Sequence, residues 1–233
     1  MATLDQRLLT ASQMIIPQRP VADIGTDHGH LPCYLIASGL APRVIATEWG
    51  DGPFQQARER IGKSPWSDCI VVRQGNGLEA LQKGEVETVV IMGLGGDLIA
   101  AMLKRDWALT ASFARLVLQP MTRAGVVRRL LAQQGWPLLS EQVARVNGRF
   151  FILLSYQPGS QPYELTLLET EVGSQILQGR SNHERQYLIY CWRKFKKLYE
   201  GLALSKQADN RHKRHEYGRL CLELEEIIDA KQG

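Results

Sequence analysis

Val21-Ala22-Asp23-Ile24-Gly25-Thr26-Asp27-His28-Gly29-His30 is the stretch whose reading decides the fold of this chain. A short apolar run enters a turn carrying Asp23, Gly25, Asp27 and Gly29, and an apolar helical pattern starts at Leu31. About twenty residues on, a second strand-like run, Val44-Ile45-Ala46-Thr47, ends in Glu48. Strand, glycine turn, helix and a strand closing on an acid is how a doubly wound sheet holds an adenosine-containing ligand. The glycines admit the ligand close to the backbone, and the distal carboxylate accepts from two ribose hydroxyls.

The type of ligand follows from what is missing. A dinucleotide site needs G-x-G-x-x-G, so that a pyrophosphate rests on bare amides at a helix N-terminus. Here Gly25 and Gly29 stand at G-x-x-x-G spacing with carboxylates at Asp23 and Asp27. Two carboxylates repel a pyrophosphate and attract the sulfonium and ammonium of S-adenosylmethionine, a difference on the order of several kcal/mol in a half-dry cleft. The plainer alternative, that Asp23 and Asp27 only cap the following helix, requires one Asp and leaves Glu48 without a role.

Strand-like runs recur at Val21–Ile24, Val44–Thr47, Ile70–Arg73, Val86–Met92 and Ala114–Gln119. Helical patterns lie between and after them at Leu31–Ser38, Pro53–Ile61, Asp97–Lys104 and Ala124–Gln134. This alternation predicts a parallel sheet covered on both faces. Pro137–Val146 and Phe150–Gln157 flank Asn147-Gly148-Arg149, and Asn-Gly is the strongest short hairpin signal. The expected architecture is therefore α/β: a doubly wound, seven-stranded Rossmann-like sheet of methyltransferase type, five parallel strands closed by an antiparallel hairpin. An opening helix is expected from Thr3-Leu4-Asp5-Gln6, which has capping-box spacing. Pro158-Gly159-Ser160-Gln161-Pro162 breaks the pattern, giving an expected domain of residues 1–158 and a second of 159–233. In the second, Leu188, Trp192, Phe195, Leu198, Tyr199 and Leu202 recur at helical spacing, as do Leu220, Leu224, Ile227 and Ile228. A polar turn is expected at Asp209-Asn210 between these two helices of an antiparallel, coiled-coil-like hairpin.

At 233 residues and 44% hydrophobic content the chain can bury a real core. Cys33, Cys69, Cys191 and Cys221 lie far apart without C-x-x-C, so neither a disulfide framework nor a zinc site is indicated. No leader pattern and no membrane-length apolar run is present, and the expectation is a cytoplasmic protein with no membrane partner, the monomer favoured. The net charge of +4 is unevenly placed. Residues 1–114 carry 10 basic and 12 acidic side chains, residues 115–149 carry 6 and 1, and residues 180–219 carry 11 and 4. Two basic segments behind a neutral-to-acidic half point to a polyanionic substrate. The candidate RNA contacts are Arg123, Arg128, Arg129 and Arg149 in the first basic segment, and Arg193, Lys194, Lys196, Lys197, Arg211, Lys213 and Arg214 in the second.

Gln74-Gly75-Asn76-Gly77 follows the third strand, where an amide side chain can bond the exocyclic amine of an adenine. Met92-Gly93-Leu94-Gly95-Gly96-Asp97 opens a backbone cleft after the fourth, with Asp97 able to cap the next helix. The acid-or-Asn, Pro, Pro, aromatic run of many amino-methylating enzymes is absent here. A ring nitrogen such as adenine N1 has a free lone pair and no proton to lose, so alignment can carry its methylation without a general base. Gln119, in Leu118-Gln119-Pro120-Met121, can reach a base edge or simply finish a strand. His28 and His30 flank Gly29 without a third ligand cluster, so no metal is expected.

In this order, Asp23–Pro32, Glu48 with Gly52-Pro53-Phe54, Gln74–Leu78, Met92–Gly96 and Leu118–Pro120 resemble the bacterial tRNA adenine(22)-N1 methyltransferases. The resemblance spans roughly residues 4–156, and the C-terminal helices look like that family's coiled-coil domain. It implies S-adenosylmethionine as cofactor, tRNA as substrate and adenine N1 in the D-arm as acceptor. Candidate cofactor contacts are then Asp23, Gly25, Asp27, His28, Leu31, Glu48, Gly75, Asn76, Gly77 and Met92. Candidate residues at the reacting centre are Asp27, His28, Met92, Gly93 and Gln119. The chain departs from the family pattern at Met121 (usually Asn), Asn76 (usually Asp) and Arg149-Phe150-Phe151 (usually Lys-x-Tyr). A methyltransferase acting on another RNA site, a small molecule or a protein, with the hairpin as partner or dimer module, remains the alternative; a non-catalytic adaptor leaves Asp23, Gly25 and Glu48 unexplained.

Overall fold

The structure is a computed structural model that describes residues 4–203 and 208–230. The chain forms two compact units, Met1–Tyr163 and Glu164–Gly233. The first is built on β1 (Val21–Ile24), β2 (Val44–Glu48), β3 (Ile70–Gln74), β4 (Thr88–Gly95), β5 (Arg115–Thr122), β6 (Leu138–Val146) and β7 (Arg149–Tyr156). Their order is β3-β2-β1-β4-β5-β7-β6. The first five strands are parallel and β7 is antiparallel to both β5 and β6. Every residue of β1 and β2 is buried, as expected for central parallel strands covered on both faces. The helices α1 (Gln6–Ser12), α2 (His30–Ala37), α3 (Asp51–Gly62), α4 (Gly96–Arg105), α5 (Trp107–Thr110) and α6 (Ala124–Gln133) complete the unit.

Local chemistry sets several boundaries. Asn147 (φ 49°) and Gly148 (φ 79°) both adopt the left-handed region that a two-residue type I′ hairpin needs, with Val146 opposite Arg149. Asp5 is the residue that caps α1, accepting the Leu8 N–H at 3.0 Å; Thr3 lies outside the described residues. Asp97 does not cap α4. Gly95 holds that position, and the Asp97 carboxylate pairs with Arg123 at 2.8 Å. β5 continues past Gln119 to Thr122 because Pro120 lies beyond Leu118, the last residue paired to β7, where its missing N–H costs the sheet little. Opposite it, the β4 ladder shifts register between Met92 and Leu94, leaving Gly93 at φ 78° as the irregular residue.

Arg128 corrects the charge-based reading. It is not an RNA contact: α6 turns it inward, where its Nε donates to Glu141 Oε1 at 2.8 Å with side chains 2% and 0% exposed. A buried pair of this kind tolerates neither partner alone.

Residues 159–163 stay with the first unit, since Gly159 lies directly against Gly135 and the Tyr163 hydroxyl donates to the Trp136 carbonyl at 3.0 Å. The second unit holds α7 (Leu167–Glu171), opened by a capping box between Thr166 and Glu169, and the long α8 (Asn182–Ala203) and α9 (Ala208–Asp229). Phe195 meets Tyr217 at 6.0 Å, and Tyr199 meets Arg214 at 4.8 Å, so the two helices run antiparallel. Leu188, Cys191, Phe195, Leu220 and Leu224 form the seam, while Leu198 is exposed. Asp209 and Asn210 lie inside the first turn of α9 and not in a turn ahead of it, because a helix whose apolar face is packed draws its stability from that packing.

Truncating Glu141 to Ala should strand the Arg128 charge and lower stability by about 3–5 kcal/mol, whereas the joint replacement Arg128→Met with Glu141→Leu should recover most of it. Denaturant unfolding of the two variants checks this; equal losses in both would show that the pair has no such role.

Candidate functional site

The strand order reverses between β1 and β4, and ligands of open α/β sheets bind beyond the carboxyl ends of the strands at that point. A cleft of about 200 Å3 opens there. It is lined by Asp23, Gly25, Thr26, Asp27, His28, His30 and Leu31 from β1 and its turn, by Met92 and Gly93 from β4, and by Asp5, Arg7 and Leu8 from α1. The turn is held by backbone donation from Gly25 (2.9 Å) and Thr26 (3.1 Å) to the single carbonyl of Thr47 on β2. Gly25 (φ 72°), Asp27 (φ 52°) and Gly29 (φ 66°) all take left-handed conformations, and an added Cβ at Gly29 would lie 2.9 Å from the Ile61 side chain. Gly29 caps α2 with no side-chain hydrogen bond, so neither Asp23 nor Asp27 is a helix cap.

Asp23 is buried at the end of β1, accepts from the Thr26 hydroxyl at 2.6 Å and is pushed up to a pKa of about 6 by burial, against the lowering effect of Thr26 and with a further rise from Glu48. Burial also raises Glu48, whose Oε1 accepts the Asp27 N–H; the carboxylate keeps a second oxygen. The Asp27 side chain is 81% exposed at the cleft mouth, 3.7 Å from His28 Nε2. His30 is held below the usual imidazole range by burial and by Arg60, whose guanidinium donates to its Nδ1 at 3.3 Å. Buried carboxylates that resist ionisation await a cation. The cleft is therefore unsuited to a pyrophosphate and suited to a ligand with fixed positive charge.

Of the residues expected from sequence to bind or react, the fold gathers Asp23, Gly25, Asp27, His28, Leu31, Met92 and Gly93 on the cleft, and Glu48 joins them through Asp27. Gly75, Asn76, Gly77 and Gln119 are not on its wall. Gly75 donates to the Glu48 carbonyl at 2.9 Å, which ties the loop after β3 to the end of β2. Arg73 braces that loop by donating to the Ala80 carbonyl at 2.9 Å and to both Glu85 oxygens. Gly77 is buried at φ 70°, and a side chain there would collide with Met102 of α4. Gln119 is fully buried within β5. Its Nε2 approaches Met121 Sδ at 3.4 Å, and its Oε1 has no hydrogen-bond partner, a deficit worth about 1–3 kcal/mol.

Sequence reasoning expected the opening helix but did not place α1 on the cleft. Arg7 lies 5.3 Å over the Phe151 ring and 3.2 Å from Asp5. Among the described residues it is the one Lys or Arg on the cleft wall. Its only signal in the sequence was its place on an amphipathic opening helix. Trp49, next to Glu48, is 72% exposed and also went unread.

Among the candidate RNA contacts, Arg123, Arg129 and Arg149 of the first unit are exposed, Arg123 adopting φ 51° ahead of α6. In the second, Arg193, Lys194, Lys196, Lys197, Arg211 and Lys213 are exposed; Lys196 sits 4.7 Å over the Trp192 ring, and Arg214 is half-buried on Tyr199. Among the described residues no group of three or more His, Cys, Asp or Glu side chains is placed to hold a metal, and no helix is long and apolar enough to cross a membrane.

Residues 4–154 match the methyltransferase domain family. The chain is 30% identical to the tRNA (adenine(22)-N(1))-methyltransferase of Bacillus subtilis, over 97% of both chains. Among solved structures, the tRNA methyltransferase TrmK of Bacillus subtilis is 29% identical with a TM-score of 0.87, covering 98% of this chain and all of that one. An uncharacterized protein of Listeria monocytogenes is 28% identical with a TM-score of 0.88, covering 97% of this chain. With the acidic cleft at the sheet's switch point and relatedness along nearly the whole length, the chain belongs to the tRNA (adenine(22)-N1)-methyltransferase family.

Proposed function

We infer that the chain transfers the methyl group of S-adenosylmethionine to N1 of adenine 22 in tRNA. The observation that carries this reading is the buried, up-shifted Asp23 in an acidic cleft at the β1/β4 switch point, in a chain of this family. S-adenosylmethionine supplies an electrophilic methyl on a cationic sulfur. Asp23 and Asp27 face its positive groups, Arg7 pairs with its carboxylate, and Glu48 accepts from the ribose hydroxyls. Asn76, in the loop that Gly75 ties to Glu48, and the exposed Trp49 next to Glu48 would receive the adenine. Met92 and Gly93 form the wall where the acceptor base enters, and no side chain is required to remove a proton, because N1 carries none. The methyl transfer itself needs no metal, because N1 is already a nucleophile. With tRNA as substrate, the protein works in the cytoplasm.

The second unit, Glu164–Gly233, serves as the tRNA-docking module, supported by the exposed cations of α8 and α9. Charge reversal at Lys194, Lys196 and Lys197 should weaken tRNA binding and reduce the slope of log affinity against log salt by roughly one unit per lost phosphate contact. Filter binding across a salt series measures it; an unchanged slope removes these lysines from the interface.

Cofactor binding should depend on pH with a defined sign. Asp23 is protonated below about pH 6 in the free protein, and the cation prefers its carboxylate. Affinity should therefore fall as pH drops through 6, roughly tenfold per unit at the limit, and level off above 7. Calorimetry should register proton release on binding near pH 6. Asp23→Asn should flatten the profile, and Arg7→Ala should cost about 1.5–3 kcal/mol. A dissociation constant that does not move between pH 5 and 7.5 would contradict the role given to Asp23.

The product test uses purified protein, labelled methyl donor and a tRNA transcript. Label should appear as 1-methyladenosine and vanish when adenine 22 is changed to guanine. Label on an exocyclic amine, or its persistence in the guanine transcript, would overturn the assignment.

A further inference from the structure

Resting on that reading of the site, we propose that Gln119 reads the acceptor base: its Oε1 accepts a hydrogen bond from the exocyclic amino group of adenine while N1 faces the methyl carbon. The first observation is the orphaned oxygen. Gln119 is 0% exposed, yet Oε1 has no hydrogen-bond partner among the described residues. Natural structures rarely leave such a group unpaired without a purpose.

The second is the orientation of the amide. Its neighbour Met121 offers a thioether sulfur, which can accept but has no proton to donate. The nitrogen end therefore faces Sδ, at 3.4 Å, and the oxygen end is the one left over. The third is position. β4 and β5 pair in parallel with Met92 opposite Gln119, so the two side chains share one face of the sheet at its carboxyl edge. Met92 and Gly93 form the cleft wall, which puts Gln119 one strand away from the cofactor side. Met121 is 45% exposed and unbranched, a flexible cover that an entering base can displace.

The chemistry selects an acceptor at this point. With N1 given over to the methyl carbon, the amino group is the one polar group left on the Watson–Crick edge of adenine. A donor placed there would compete for the N1 lone pair; an acceptor leaves it free. During transfer the N1 lone pair forms the new bond to the methyl carbon as the carbon–sulfur bond breaks. That bonding pair returns to sulfur, giving the neutral thioether. The positive charge passes to the base, shared between N1 and the exocyclic nitrogen, and no proton leaves. The amino N–H thus becomes a stronger donor as the reaction proceeds, so the bond to Oε1 tightens in the transition state rather than in the ground state. Guanine and hypoxanthine present a carbonyl oxygen at the same place, acceptor against acceptor.

The test compares wild type with Gln119→Met on two tRNA transcripts, one with adenine and one with purine, which lacks the amino group, at the acceptor position. Single-turnover rates on adenine should fall about 10- to 300-fold in Gln119→Met, in the range of other lost charge-stabilising contacts. On the purine transcript the fall should be less than about threefold, because the interaction is already absent. Gln119→Glu, which keeps an acceptor, should recover part of the adenine rate, and S-adenosylmethionine binding by calorimetry should match wild type within about twofold, excluding misfolding. Equal losses on both transcripts, or an unaffected adenine rate, would overturn the role of Gln119 while leaving the methyltransferase reading intact. Wild type that binds S-adenosylmethionine but methylates no adenine transcript would overturn both.

Discussion

Everything at the functional edge of this fold depends on the turn that follows β1. That strand is pinned between β2 and β4, and its chain must reverse at once, because α2 has to cover the sheet. Two consecutive N–H groups, from Gly25 and Thr26, converge on the carbonyl of Thr47. Three left-handed residues then carry the chain into α2. A side chain at Gly29 would meet Ile61, so the turn is set by steric exclusion as much as by hydrogen bonds. The same reversal aims Asp23 inward and brings the Asp27 N–H onto the Glu48 carboxylate, coupling two strands through one hydrogen bond.

Electrostatics follow from that geometry. Asp23 is removed from water before any counter-charge is present, so its carboxyl resists ionisation, and Glu48 resists in the same direction. The acidic cleft therefore carries an unmet demand for a cation. Arg7, stacked on Phe151, gives the same cleft one positive edge. A zwitterionic amino acid bearing a cationic sulfur meets both demands, whereas a pyrophosphate meets only the weaker one.

The other side of the cleft is shaped by an irregularity. The register shift at Gly93 lets β4 bend out of the ladder just where Met92 stands beside Gln119. Irregular strand ends at a sheet's carboxyl edge are where side chains can be re-aimed toward substrates. Met121 and Phe151 stand on this side. One touches the Gln119 amide and the other carries Arg7.

Much of this was legible in the sequence because it is encoded locally. The alternation of apolar runs and helical periods specified a covered parallel sheet, and Asn147-Gly148 specified the hairpin by the left-handed conformations those two residues tolerate. The missing third glycine and the paired acids specified the charge of the ligand. Three features were decided only by tertiary structure. Arg128 counted as a surface cation in the sequence, but charge counting carries no information about which side of α6 meets β6 and its Glu141. Arg7 stands far in sequence from Met92 and Phe151, and only the packing of α1 brings them together. Gln119 read equally well as a strand end, because an unpaired amide oxygen is a property of what surrounds it, and those surroundings exist only once the strands have paired.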